Sequence, residues 1–202
     1  MPNKSYPWLI VLTVVVADQA IKVWVKTHLA YGEEIRILGQ DWALIHFVEN
    51  NGMAFGIAPG GAVGKLALSL FRLFAVGFLS YYIYRLLEAH VRRPLLLGGF
   101  ALILGGAIGN IIDSLFYGLL FSASSYHGGV ATFLPEEGGY APLFYGRVVD
   151  MFYFPIAYGL YPDWVPLLGG QSYVFFRPVF NLADVAISLG VVLLLWAFYR
   201  NA

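Results

Sequence analysis

The sequence predicts an all-α membrane protein of four transmembrane helices, with a small extracytoplasmic β region and a long outer loop between spans three and four. Three observations carry that class. Of 202 residues, 59% are hydrophobic and only 12% are charged, whereas a globular domain carries about 25% charged residues. Mean hydropathy is +0.71. Apolar runs of near-spanning length recur four times, at about 8–25, 63–84, 95–117 and 179–199; a span needs about 20 residues. The outer regions are then about 27–61 and 118–178, and residues 1–202 form a single integral membrane domain. A net charge of zero and a pI of 6.9 leave no basic footprint for nucleic acid. The absence of cysteine rules out disulfides, a thiol nucleophile and cysteine metal sites. His28, His46, His90 and His127 have no metal-ligand spacing, so neither metal nor cofactor is expected.

The first span follows a short polar start containing Lys4. Its outline resembles a cleavable signal peptide up to Ala17-Asp18-Gln19-Ala20. Asp18 stands where small neutral residues belong, and apolar character resumes at Ile21, so an uncleaved span is expected. Asp18 and Lys22 lie four apart and can neutralise each other on one helix face; a structural pair is favoured over catalysis. From Thr27 to Gly61 the chain is polar and irregular. Ile35-Arg36-Ile37 and Ala43–Val48 alternate like strands. They lead into Glu49-Asn50-Asn51-Gly52-Met53-Ala54-Phe55-Gly56, where Asn-Gly favours a tight turn and a plain hairpin is the simplest outcome.

Arg72 falls inside the second span. About 18 Å of helix separates it from Arg85, against about 30 Å of hydrocarbon, so Arg72 lies near the outer edge or snorkels towards it. Arg85, Arg92 and Arg93 cluster in the next connection. The third span holds Gly98, Gly99, Gly105, Gly106 and Gly109, and Gly105 with Gly109 makes a small-xxx-small face for close helix packing. Leu95 to Asp113 covers about 28 Å, which carries Asp113 to the opposite membrane face. The 118–178 connection is rich in Gly, Pro, Tyr and Phe, as suits a segment at the lipid headgroups, and holds Tyr145–Phe152. Phe180–Ile187 opens the last span, placing Asn181 and Asp184 about one turn inside a membrane helix and on one face. An ionisable residue there is costly and is a functional candidate; the bland role for Asp184 is pairing with a base or capping the helix.

The 85–93 connection carries three arginines in nine residues, whereas the 61 residues of 118–178 carry only Arg147 and Arg177. Positive charge therefore places both termini and the short connection in the cytoplasm and both long connections outside. Asp113, Asp150 and Asp184 then converge at one depth, with Asp18 near the same level and Glu49-Asn50-Asn51 on the same side. Carboxyls crowded at a poorly hydrated boundary cannot all ionise. Two aspartates sharing a proton are the working parts of an aspartic protease. A cation site or proton relay in a four-helix carrier, or a lipid-handling scaffold, could use the same carboxyls. Against a carrier, they sit at one surface and not at mid-membrane, and there is no inverted repeat. Carboxylates without a nearby histidine suit hard, weakly activating ions, which disfavours a metal hydrolase.

Asp18-Gln19 with Lys22, Asn51-Gly52 with Ala54-Phe55, Gly105-Gly106 with Gly109-Asn110 and Asp113, Val148-Val149-Asp150, and Asn181 with Ala183-Asp184 occur in one order. In this the chain resembles lipoprotein signal peptidases (signal peptidase II), the membrane-embedded aspartyl peptidases of bacteria. The resemblance covers all four spans. It implies cleavage of a diacylglyceryl-modified prolipoprotein just before its lipid-modified cysteine, with Asp150 and Asp184 as the catalytic dyad. Asn51, Asn110, Asp113 and Asn181 would bind substrate or support the site. It also implies a multi-pass protein of the bacterial cytoplasmic (inner) membrane, with the site at the outer face. Membrane lipid and lipidated precursor are the implied partners, and cyclic peptides resembling globomycin the implied inhibitors; a monomer suffices. Two departures stand out. Ser114 follows Asp113 where the family usually has arginine, a contact that Arg147 or Arg177 would have to replace. The intervals from Asp113 to Asp150 and from Asp150 to Asp184, 37 and 34 positions, exceed the usual ones, and packing is the expected role of the extra segments.

Overall fold

Among the described residues, four helices are long and apolar enough to cross a membrane. The computed structural model describes residues 4–52, 61–91, 93–175 and 178–200; Met53, Ala54, Phe55, Gly56, Arg92 and Arg177 lie outside the described residues. Helix α1 runs over Tyr6–His28, α2 over Gly61–Glu88, α3 over Pro94–Ile112 and α5 over Leu182–Tyr199. Pro7 and Pro94 stand in the first turns of α1 and α3, where the missing N–H costs nothing. The third span continues past α3 through a π turn, Asp113–Tyr117, into the short α4, Gly118–Leu120.

The fourth span begins later than the sequence predicts. Val179–Phe180 is not helical; it forms strand β6. Phe180 pairs with Phe152 and Val179 with Tyr153, so these aromatic and β-branched residues complete a sheet. Asn181 then caps α5: its side chain accepts from the Asp184 amide, and the Asp184 carboxylate accepts from the Asn181 amide. That reciprocal capping box fixes the helix start. Asn181 thus stands at the helix entrance, one turn further out than its place in the apolar run predicts.

Helix α3 with its extension is the most buried span, and its glycines explain why. A Cβ on Gly105 would lie 2.9 Å from the Val14 side chain of α1. On Gly106 it would overlap the Ala183 carbonyl of α5, and on Gly109 it would come within 2.6 Å of the Asp18 carboxylate. Gly99 and Gly190 allow a second close approach of α3 and α5, each meeting the other's carbonyl oxygen. The small-residue face therefore brings α1 and α5 onto α3 near its C-terminal end.

The connections that follow α1 and α4 fold together over that end. Strands β1 (Glu34–Arg36), β2 (Leu44–Asn50), β3 (Val148–Tyr153) and β6 form an antiparallel sheet in the order β1-β2-β3-β6. A separate hairpin pairs β4 (Ala157–Leu160) with β5 (Ser172–Phe175). The β2–β3 register shifts between Ile45 and Val48, so that Ile45 faces Phe152 while Val48 faces Asp150. The extra residue is a bulge. Beyond it, Phe47 and Val149 join Val25, Leu29, Tyr117, Phe121 and Met151 in one buried cluster. Alternation along the strands then puts Asn50 and Asp150 on the opposite face. Tyr117 of this cluster ends the π turn of the third span, Phe121 belongs to the long connection that follows, and Tyr140 of that connection packs against it. That part of the connection is core-forming.

Candidate active site

Asp150 enters the site from β3 and Asp184 from the first turn of α5. Asp150 is buried and Asp184 half-buried. Asn181 binds both: its Nδ2 donates to Asp150 Oδ1 at 2.7 Å, and its main-chain N–H reaches Asp184 Oδ2 at 3.3 Å. Asn110 on α3 makes a second bridge, donating to Asp184 Oδ1 at 2.9 Å and accepting from Asn181 Nδ2 at 3.1 Å. Two carboxyls from separate parts of the chain are thus held on one pair of side-chain amides. Burial first, and the Asp184 charge second, push the Asp150 carboxyl up to about 7; the Asn181 and Asn50 hydrogen bonds and the Lys22 charge pull it down.

Lys22 supports the pair from beneath. Its ammonium is fully buried and lies 2.9 Å from Asp18, 2.8 Å from Asp113 and 2.9 Å from Asn110 Oδ1. Asp18 also accepts from the Ala183 amide at 2.9 Å, satisfying an N-terminal N–H of α5. Asp113 accepts from Gln19 at 2.9 Å and from the Val149 amide at 3.2 Å, anchoring the strand beside Asp150. Tyr117 donates to Gln19 at 3.2 Å. Asp18, Lys22 and Asp113 therefore form a buried ion-pair cluster behind Asp150 and Asp184.

The motif points to Asn51 as a site residue, and in the structure its neighbour Asn50 is the one that contacts Asp150. Asn50 Nδ2 donates to Asp150 Oδ2, and Asn50 Oδ1 accepts from the Gly52 amide. Asn51 is exposed, and its carbonyl accepts from Lys65 Nζ at 3.0 Å. Strand alternation decides between the two, since Val48 sits opposite Asp150 and Asn50 follows on the same face. Asn-Asn offers no sequence signal for that choice until the register is known. Of the two residues offered as substitutes for the arginine missing at Ser114, Arg177 lies outside the described residues. Arg147 instead approaches Glu49 at 3.7 Å and lies over the Tyr140 ring. Lys65 of α2 approaches Ser114, at 3.4 Å from its Oγ. Arg72, placed at the outer edge by its spacing from Arg85, donates to the Gly52 carbonyl. Lys26 completes the α1 stripe that starts at Asp18 and Lys22. It pairs with Glu49, donates to Ser124 at 2.9 Å and lies over the rings of Phe47, Phe121 and Tyr140.

Among the described residues no cluster of His, Asp and Glu has the arrangement of a metal site. The family model for signal peptidase (SPase) II matches residues 10–200. The chain belongs to the signal peptidase II family. As a signal peptidase II it is a multi-pass membrane peptidase. It is similar to the lipoprotein signal peptidase of Porphyromonas gingivalis, with 51% identity over 201 residues that cover 100% of this chain and 86% of the relative. The lipoprotein signal peptidase of Amoebophilus asiaticus is 41% identical over 187 residues, covering 92% of this chain and 74% of the relative. A bacterial membrane enzyme solved at 1.9 Å shares the fold of this signal peptidase II, with a TM-score of 0.61 at 22% identity over 98% of this chain and 95% of the other.

Proposed function

We propose that this signal peptidase II removes signal peptides from diacylglyceryl-modified prolipoproteins, cutting just before the lipid-modified cysteine, with Asp150 and Asp184 as its dyad. The observation that carries this is the double amide bridge. Asn181 holds Asp150 by its side chain and Asp184 by its main chain. The relatives' name, lipoprotein signal peptidase, supports the substrate class.

Asp150, more buried and raised to about 7, keeps the shared proton and hydrogen-bonds the scissile carbonyl oxygen. Asp184, more open, serves as the general base and draws a proton from a water whose oxygen bonds to the carbonyl carbon. The C–N bond then breaks, and the proton gained by Asp184 passes to the leaving amine. The pair titrates jointly, so its pKa values belong to the dyad. Asn110 and Asn181 orient the carboxyls. No metal or cofactor takes part in this scheme.

The dyad operates at the outer face of the bacterial inner membrane, with both termini in the cytoplasm. Arg85 and Arg93 at the far end of the bundle and the positive-inside rule support that orientation. A site at this boundary leaves the diacylglyceryl chains in lipid while the scissile amide meets water, and positioning of that kind lowers the barrier by several kcal/mol. Cyclic peptides resembling globomycin would occupy the same place, and one chain contains the whole site. Asp150→Asn and Asp184→Asn are each expected to stop processing while the protein stays folded, so that membranes accumulate diacylglyceryl-modified precursor. Normal processing by either variant would remove that residue from the dyad.

A further inference from the structure

Helix α2 is the least buried of the four spans, yet it sends two cations to the turn after β2. Lys65 Nζ donates to the Asn51 carbonyl at 3.0 Å. Two turns later on the same face, Arg72 Nη2 donates to the Gly52 carbonyl. From there a chain of hydrogen bonds leads inward: the Gly52 amide donates to Asn50 Oδ1, and Asn50 Nδ2 donates to Asp150 Oδ2. Gly52 has φ +88°, and a Cβ there would overlap Arg72 Nη1, so the guanidinium lies against the bare α-carbon. Among the described residues Nη1 has no hydrogen-bond partner.

We infer that Arg72 is a positioning residue, which fixes the Asp150 carboxyl through the Gly52 peptide and the Asn50 amide. The reason lies in the two ends of the Asn50 side chain. An amide presents donors on one side and an acceptor on the other. It supports a carboxylate only when its NH2 group faces it. The Gly52 N–H holds the oxygen end away from Asp150, and Arg72 holds the Gly52 peptide. Without the guanidinium that peptide is free to turn, and Asn50 can flip its carbonyl oxygen onto Asp150. A lipid-facing helix thereby sets the geometry of the site.

This inference rests on Asp150 being a dyad member. Its test is a double-mutant cycle in the purified full-length enzyme, measuring kcat, KM and the pH dependence of kcat on a diacylglyceryl-modified precursor. Arg72→Met is expected to lower kcat about tenfold, the scale of a lost hydrogen bond to a charged group, with KM unchanged within about twofold. It should also move the alkaline limb of the profile to higher pH, because a donor to ionised Asp150 becomes disordered. In an Asn50→Ala background Arg72→Met should have no further effect. Arg72→Lys, which keeps a donor, should recover part of the loss. Effects of Arg72→Met and Asn50→Ala that multiply, or a change in KM alone, would overturn the relay. If Arg72→Met does not stay monodisperse in detergent, Gly52→Ala carries the test by displacing the guanidinium; full activity of Gly52→Ala would equally overturn it. Asp150→Asn, assayed in parallel, separates the two ideas. An active Asp150→Asn enzyme removes the dyad assignment, whereas an inactive one with multiplying effects at residues 50 and 72 removes only the relay.

Discussion

At the scale of single residues, Lys22 and Asp150 embody opposite solutions to burying charge. Lys22 has two carboxylates and an amide oxygen around its ammonium, so its charge is fully compensated. Lys22→Met would leave Asp18 and Asp113 uncompensated in a dry cluster. The expected loss is about 3–5 kcal/mol, typical of breaking a buried pair from one side, read as a lower melting temperature in detergent. Asp150 is instead kept partly uncompensated. Its carboxyl goes from 3.8 in the unfolded chain to about 7 in the fold. A raised carboxyl binds its proton more tightly when folded. Its contribution to stability is thus full below pH 3.8 and lost as pH rises through about 7. Asp150→Asn should therefore melt higher than the parent above pH 7, with the difference shrinking in acid. Activity should fall as pH rises through about 7, where the dyad loses its shared proton. The Asp18–Lys22 pair could be read from its four-residue spacing. Asn50 could not, because a one-residue bulge in β2 decides which of two adjacent asparagines faces Asp150.

At the scale of elements, the close crossings of α3 with α1 and α5 place the carboxyls. Gly106 packs against the Ala183 carbonyl, one residue before Asp184. Gly106→Ala is expected to cost about 1–3 kcal/mol, as overpacking does, and to lower kcat by shifting the first turn of α5. A melting curve and a turnover assay on the same preparation would check both. The glycine pattern of the third span was legible as a packing face, but which neighbour each glycine meets depends on the rotation of the helix. Helix α5 starts later than the apolar run for a related reason. Val179 and Phe180 continue the apolar run, and only pairing with β3 shows that they are strand. The π turn at Asp113–Tyr117 likewise has no local signature. It accompanies the close approach of Gly146 to the Asp113 carbonyl, a contact between residues far apart in the chain.

At the scale of the whole molecule, a bundle of four apolar helices carries a folded layer that supplies half of the candidate site. Asp184 belongs to the bundle and Asp150 to the layer. The ring-lined Lys26–Glu49 pair and the Asp113–Val149 hydrogen bond fasten the layer to the helices. Four spans and the convergence of the carboxyls at one end of them followed from hydropathy and charge. The sheet that aims Asp150 did not, since its strands are short and far apart in sequence. The most direct measurement is cleavage by the purified enzyme of two precursors that differ only in the diacylglyceryl group, repeated with Asp150→Asn and Asp184→Asn. The parent should cut the lipidated precursor alone, just before the modified cysteine, and both variants should cut neither. Equal cleavage of the two precursors, or full cleavage by either variant, would contradict a lipid-boundary aspartyl dyad.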